Sequence, residues 1–382
     1  MRVKQLAWTP KQGWEVSTPS DNLDSADFVL YFFSPGLNGG LDGLTARLSE
    51  LAARFPGAPL VGCSTGGEIL GDEVFDDSLV AAAIEFESTT VQIAKVRIGA
   101  DTSHEVGRRL AAEFAADGLR ALFVLSDGTG INGSDLIRGL QDVLGGDITI
   151  TGGLAGDGAD FKITHVGAGD APETGRVAAI GFYGEAVTIG HGSYGGWQPF
   201  GPERRITGSN GNVLHTLDNQ PALDLYKRYL GDQAEGLPGT ALLFPLRIVR
   251  PDGGEVVRTI VGTDDATNTM VFAGDLPEGS VAQLMRASFE KLIDGAGEAA
   301  TIASGEGGAP EGTHLAILVS CIGRKLVLGQ RASEEVESVV DVLGDDARTI
   351  GFYSYGEISP QARTGTCELH NQTMTITTIG ER

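Results

Sequence analysis

One pattern constrains this chain more than any other feature: strand, helix, strand, then a glycine turn carrying a carboxylate, met three times along the sequence. The run 28–33 (FVLYFF) is apolar and short, as a buried strand is. Leu41, Leu44, Leu48, Leu51 and Phe55 follow at spacings of three and four, one face of a helix over 41–55 that Pro56 and Gly57 stop. A second strand at 59–62 runs into Gly62-Cys63-Ser64-Thr65-Gly66-Gly67-Glu68. The next occurrence has strands at 121–125 and 148–152 around a helix at 134–144, and the turn Gly152-Gly153-Leu154-Ala155-Gly156-Asp157. The last has strands at 315–320 and 349–353 around a helix at 333–343, and the turn Gly351-Phe352-Tyr353-Ser354-Tyr355-Gly356-Glu357. The similar lengths predict an internal repeat of strand, helix, strand, turn and hairpin.

Further strands are expected at 78–86, 91–98, 177–182, 187–191, 204–207, 213–217, 242–249, 256–262 and 374–379. Helices are expected at 103–116, 221–230 and 280–294, and 295–310, rich in Gly, Ala and Glu, reads as a mobile loop or fraying helix end. At 382 residues the chain exceeds what one core usually serves, so two α/β domains are expected, 1–219 and 220–382, each a mixed sheet of repeated β-α-β-hairpin units.

The formal net charge is -23, so the surface repels phosphate backbones and anionic lipid, and neither nucleic acid nor membrane is an expected partner. No apolar run approaches the roughly 20 residues of a spanning helix, and residues 1–14 lack the apolar stretch of a signal peptide. Cys63, Cys321 and Cys367 are odd in number, far apart and without C-x-x-C spacing. A disulfide framework or zinc site is not expected, and the chain reads as cytoplasmic.

The chemistry concentrates in the turns. No Gly-Lys-Ser/Thr follows any of them, which excludes a P-loop, and the dinucleotide fingerprint also fails. Glycines after a strand expose N–H groups, and Glu68 and Glu357 beside them are candidates for binding a ligand amine or for satisfying nearby backbone donors. Tyr353, Ser354, Tyr355 and Glu357, with His370 and Asn371 a hairpin away, gather the most donors and acceptors, although strand alternation lets only half of them meet one ligand. An interdomain pocket drawing on this block is expected. No histidines stand at metal-binding spacing, so no metal is expected. Cys63, or a carboxylate, is the candidate for a hydrolase reading, though no base or triad accompanies it. The loop from Asp127 to Asp135, with Gly128-Thr129-Gly130-Ile131-Asn132-Gly133 between, is a polar surface for ligand or partner contact.

The turn Gly62-Cys63-Ser64-Thr65-Gly66-Gly67-Glu68-Ile69, the block Gly153-Leu154-Ala155-Gly156-Asp157, Gly196-Trp197-Gln198-Pro199, the stretches LHTLD at 214–218 and PALDLY at 221–226, GFYSYGEISP at 351–360 and ELHNQTMT at 368–375 occur in an order that resembles the FIST family over about residues 25–380. The resemblance implies a non-enzymatic sensory module that binds a small ligand and acts on a separate signalling partner, such as a histidine kinase or a cyclic-di-nucleotide enzyme. Some members are similar to haem proteins that sense nitric oxide. Under that alternative His191 and His370 are the candidate haem contacts, since a haem needs one proximal histidine. The resemblance names neither the ligand nor a cofactor for this chain, and both stay unknown.

Overall fold

A computed structural model describes residues 1–16, 23–37, 39–237, 239–305, 310, 312–361 and 365–382. Its helices are α1 (Gly40–Arg54), α2 (Ser103–Ala112), α3 (Gly133–Leu144), α4 (Ala222–Leu230), α5 (Phe289–Ser304), α6 (Ile322–Leu328) and α7 (Ala332–Leu343). The protein is mixed α/β, and the repeat read from the sequence is real.

Each of the three units is a sheet centred on a parallel pair. Phe28–Phe33 and Leu60–Ser64 are joined by α1, Leu119–Ser126 and Thr149–Leu154 by α3, and His314–Cys321 and Ala347–Ser354 by α6 and α7. A helical crossover is the connection that parallel neighbours require. The first strand of each pair also has an antiparallel neighbour, Leu79–Glu85, Arg176–Tyr183 and Met374–Glu381 respectively. Outside these lie Arg2–Thr9, Thr90–Arg97 and Val187–Tyr194.

The units are tied together by exchange. The strand after each glycine turn leaves its own sheet and joins a neighbour's edge. Glu68–Leu70 pairs with Ala347–Ser354, Gly356–Pro360 pairs with Thr149–Leu154, and Val166–Ala168 pairs with Leu60–Ser64. The cycle closes, so the core has a pseudo-threefold arrangement. Gly62, Gly152 and Gly351 occupy matching places in it: a Cβ on each would run into the carbonyl oxygen of Tyr31, Val124 or Leu318 on the adjacent parallel strand.

The third unit is interrupted. After Val187–Tyr194 the chain makes a nine-stranded antiparallel sheet with α4 and its own apolar core (Leu214, Leu223, Tyr226, Ile248, Phe272), and returns at α5. The division expected near Asn219 falls inside a hairpin of this inserted sheet, where Leu217 pairs with Gln220. Residues on both sides of 219/220 also share two of the core sheets.

Two local expectations need correcting. The helix expected at 280–294 is the strand Val281–Arg286 followed by α5, because Val281–Arg286 is held between two antiparallel neighbours and Ser288 caps the helix by accepting the Lys291 N–H. The loop expected at 295–310 is helical as far as Ser304, and 306–309 and 311 lie outside the described residues. Gly295 and Gly297 in it serve close approach, since a Cβ on Gly295 would lie 3.1 Å from the Gly196 nitrogen and one on Gly297 2.7 Å from Ser338 Oγ. On the facing strand Val187–Tyr194 a Cβ on Gly190 or Gly192 would likewise strike the carbonyl oxygens of Ala303 or Ala299.

Candidate functional site

The three glycine turns meet one another. Gly66 N–H donates to Tyr353 O at 2.8 Å, Gly156 N–H to Ser64 O at 2.9 Å, and Tyr355 N–H to Leu154 O at 3.2 Å. These bonds form a ring around the pseudo-threefold axis and bring Glu68, Glu357 and the 157–165 loop to one end of the core.

Glu68 and Glu357 hold matching places, each at the start of an exchanged strand, and both are fully buried. Ser34, Thr65 and Ser78 donate hydroxyls to Glu68, Ser34 at 3.0 Å and Ser78 at 2.6 Å. Glu357 accepts from the Ser354 hydroxyl at 2.7 Å and from the Thr373 hydroxyl and N–H at 3.0 and 3.2 Å. Burial pushes the Glu68 carboxyl up to about 7 and that of Glu357 up to about 8, against the pull of these hydrogen bonds. The hydroxyl cradle escaped sequence reading, although Thr65 and Ser354 stand three residues before their carboxylates and signal it in retrospect.

The second unit departs from this plan. Val166 takes the place of the carboxylate, opposite Cys63, after a longer loop. Asp157 in that loop accepts the N–H groups of Phe161, Lys162 and Ile163 at 2.8, 2.8 and 2.7 Å, and the Tyr355 hydroxyl also bonds it. The Phe161 and Tyr355 rings stack at 4.3 Å with an interplanar angle of 16°.

That stack forms part of the wall of a 420 Å³ cavity between the core and the inserted sheet. The core supplies the loop 128–132 with Leu154, Phe161 and Tyr355, and the inserted sheet supplies Asn212, Val261, Val271, Phe272 and Ala273. Asp127 holds the loop by accepting N–H groups from Thr129, Gly130 and Gly175 at 2.9, 2.7 and 3.0 Å. Gly128 admits no side chain, since a Cβ there would meet the Ala155 carbonyl. The cavity is part apolar and part polar, and its size falls within the range of about 300–1,000 Å³ typical of small-molecule sites.

Of the candidate ligand residues, Tyr355 lines this cavity, whereas Glu68, Tyr353, Ser354, Glu357, His370 and Asn371 are buried and line none of the described cavities. Tyr353 donates its hydroxyl to Glu335 at 2.9 Å, and Asn371 Oδ1 accepts the Thr259 N–H at 3.4 Å. His370 Nε2 lies 2.9 Å from Ser359 O, and burial pushes the imidazole down to about 4, so it is neutral. His191 is half-buried on Val187–Tyr194 and lines none of the described cavities either. Neither histidine is thus placed to offer a ring nitrogen to a haem in a described cavity. Cys63 is fully buried, and burial, with Glu68 nearby, pushes its thiol well up and away from the thiolate that a nucleophile requires. The loop 128–132, read from the sequence as a contact surface, does line the cavity.

Three exchanged α/β sheets and an inserted sheet define a two-part α/β protein with a cavity where the parts meet. The chain belongs to the FIST family: the FIST N domain matches residues 27–220 and the FIST C domain residues 222–360, as the sequence motifs implied. FIST domains are signal-transduction sensor domains. An uncharacterized protein of Methanocaldococcus jannaschii is 26% identical over 285 residues, which cover 66% of this chain and 53% of that protein, so the chain spans about half the length of the curated relative it matches. Among solved structures, a cyanuric acid hydrolase from A. caulinodans aligns with 77% of this chain and 99% of its own at 10% identity and a TM-score of 0.19, a likeness too slight to bear on fold or activity. Among the described residues no helix is long and apolar enough to cross a membrane.

Proposed function

We propose that this protein is a cytoplasmic, non-enzymatic sensory input protein that binds a small ligand in the 420 Å³ cavity and passes the binding event to a separate signalling protein, such as a histidine kinase or a cyclic-di-nucleotide enzyme. The observation that carries the reading is the cavity's two-sided wall, with core loop residues facing residues of an inserted sheet that has its own hydrophobic core. A ligand touching both sides favours one seating of the inserted sheet over another, which a partner can read. Tyr355 and Phe161 offer a flat aromatic face, and Thr129 and Asn132 offer polar contacts. With a net charge of -23, a partner with a basic face is the complementary one.

Native mass spectrometry of the protein purified without denaturation tests this. A bound small molecule is expected, lost in Val261→Arg and Tyr355→Ala variants that still fold. Retention at wild-type occupancy in both moves the site elsewhere. A wild-type protein that carries no small molecule, and whose melting no metabolite mixture shifts, defeats the reading.

A further inference from the structure

A second cavity, of 250 Å³, lies behind the first, where α3, the inserted sheet and the hairpin strand Cys367–His370 come together. Its walls carry three arginines, Arg138, Arg250 and Arg258, and two carboxylates, Asp275 and Glu368. Two of the arginines are matched. Arg250 holds Glu368 through both guanidinium ends, at 2.9 and 2.6 Å. Arg138 meets Asp275 at 2.9 Å and also pairs with Asp135. Gln361 covers Glu368 at 2.8 Å, and Asn132 covers Asp275 at 2.7 Å.

Arg258 is different. It is 3% exposed, and among the described residues its hydrogen bonds run to carbonyl oxygens only: Asp275 O at 3.1 Å, Leu369 O at 2.8 Å and its neighbour Val257 O at 3.4 Å. Burial pushes its guanidinium down to about 10, which leaves it charged at neutral pH. Glu368 and Asp275 act on it only through space, so it lacks the direct anionic partner that a buried charge usually has. Ser134 points to the same place. Its Oγ is buried without a hydrogen-bond partner among the described residues. A Cβ built on Gly274 would lie 2.9 Å from Arg258 Nε and 3.1 Å from Ser134 Oγ, so the guanidinium and the idle hydroxyl converge beside a residue that leaves room for them.

We infer that this cavity binds a small organic anion through its carboxylate, with Arg258 as the cation it neutralises and Ser134 as a hydroxyl donor. A carboxylate matches the planar guanidinium fork. Asp275 and Glu368 are bonded to Arg138, Arg250 and the two amides and leave the Arg258 guanidinium without a direct ion pair, and the 250 Å³ volume limits the occupant to a small anion. The site stands apart from the one proposed for the sensed ligand, although the segment 271–275 separates the two cavities and contributes to both.

Titration calorimetry of the intact protein with acetate, succinate and inorganic phosphate at constant ionic strength provides the test. Saturable binding of at least one of the two carboxylates is expected. Ser134→Ala should weaken it about tenfold, the scale of one hydrogen bond to a charged group. Gln141→Glu, which adds a negative charge at the wall, should weaken it as well, and Arg258→Gln should abolish it. Tyr355→Ala should leave it unchanged. If Arg258→Gln does not fold, Ser134→Ala and Gln141→Glu decide. Absence of saturable carboxylate binding to the wild type, binding of phosphate alone, or wild-type affinity in the variants overturns the assignment.

Discussion

The first and third glycine turns contrast with the second. In the first and third, the carboxylate follows the glycine at once, on the exchanged strand, and turns inward to hydroxyls from the same places in each unit: Thr65 and Ser78 around Glu68, Ser354 and Thr373 around Glu357. In the second, a longer loop intervenes, Val166 fills the inward place, and Asp157 is spent on ordering the loop that brings Phe161 beside Tyr355. One turn chemistry therefore does two jobs. Where the connection is short it locks sheets together, and where it is long it builds a cavity wall.

That contrast can be broken at the shared glycines. Gly62→Ala puts a Cβ into the Tyr31 carbonyl on the adjacent strand. A loss of about 4 kcal/mol or more is expected, seen as insoluble protein or a collapsed denaturation midpoint. A midpoint near the wild type would show that the parallel pair has slack there.

Asp157→Ala should have a smaller effect on stability, about 1–3 kcal/mol from the orphaned loop N–H groups, together with loss of ligand from the first cavity. Urea denaturation and native mass spectrometry read the two effects. Equal ligand occupancy in this variant would separate the loop from the site.

The buried pair predicts a pH dependence of known sign. Glu68 and Glu357 have folded values of about 7 and about 8, above an unfolded value near 4.5. The native state therefore holds protons that the unfolded chain releases, and their contribution is complete below the unfolded value and lost as pH rises through the folded values. Stability should fall between about pH 4.5 and 8, by at most about 1.4 kcal/mol per pH unit for each group. Glu357→Gln should flatten part of this slope in denaturation curves taken across the range, and should match or exceed the wild type at the alkaline end. An unchanged slope would mean that Glu357 is ionised throughout.

Tyr355→Phe is the mildest probe. It keeps the stack on Phe161 and removes the hydroxyl that bonds Asp157. A loss of about 1 kcal/mol in stability is expected, with ligand affinity down a few-fold. No change in affinity would assign Tyr355 a purely apolar part in the cavity.

Much of this architecture is legible in the amino-acid sequence. The spacing of Leu44, Leu48 and Leu51 marks the buried face of α1, and the block 351–360 carries the family. Asp127 with the glycines after it marks a contact loop that does line the cavity. The strand Val281–Arg286 reads as a helix from the sequence because apolar residues at short spacing fit a helix as well as a strand held on both edges. The residues of the C-terminal block stand out as ligand contacts by their polarity, and polarity does not distinguish a group offered to a ligand from one satisfied inside. Glu357 and His370 have their partners within the protein.

By itself the sequence determined most of the local elements, the three units and the family, because periodicity, turn residues and motif order are properties of neighbouring residues. Which sheet each exchanged strand joins was decided only in the tertiary structure. Glu68–Leu70 could have closed on its own unit, and it reaches Ala347–Ser354 instead, some 280 residues away in the chain. That choice buries Glu68 and Glu357. The return of the inserted sheet onto the core then leaves two cavities at the seam, one beside Tyr355 and one beside Arg258. Both outcomes depend on edges and faces that meet only after the units have formed, and no spacing along the chain records them.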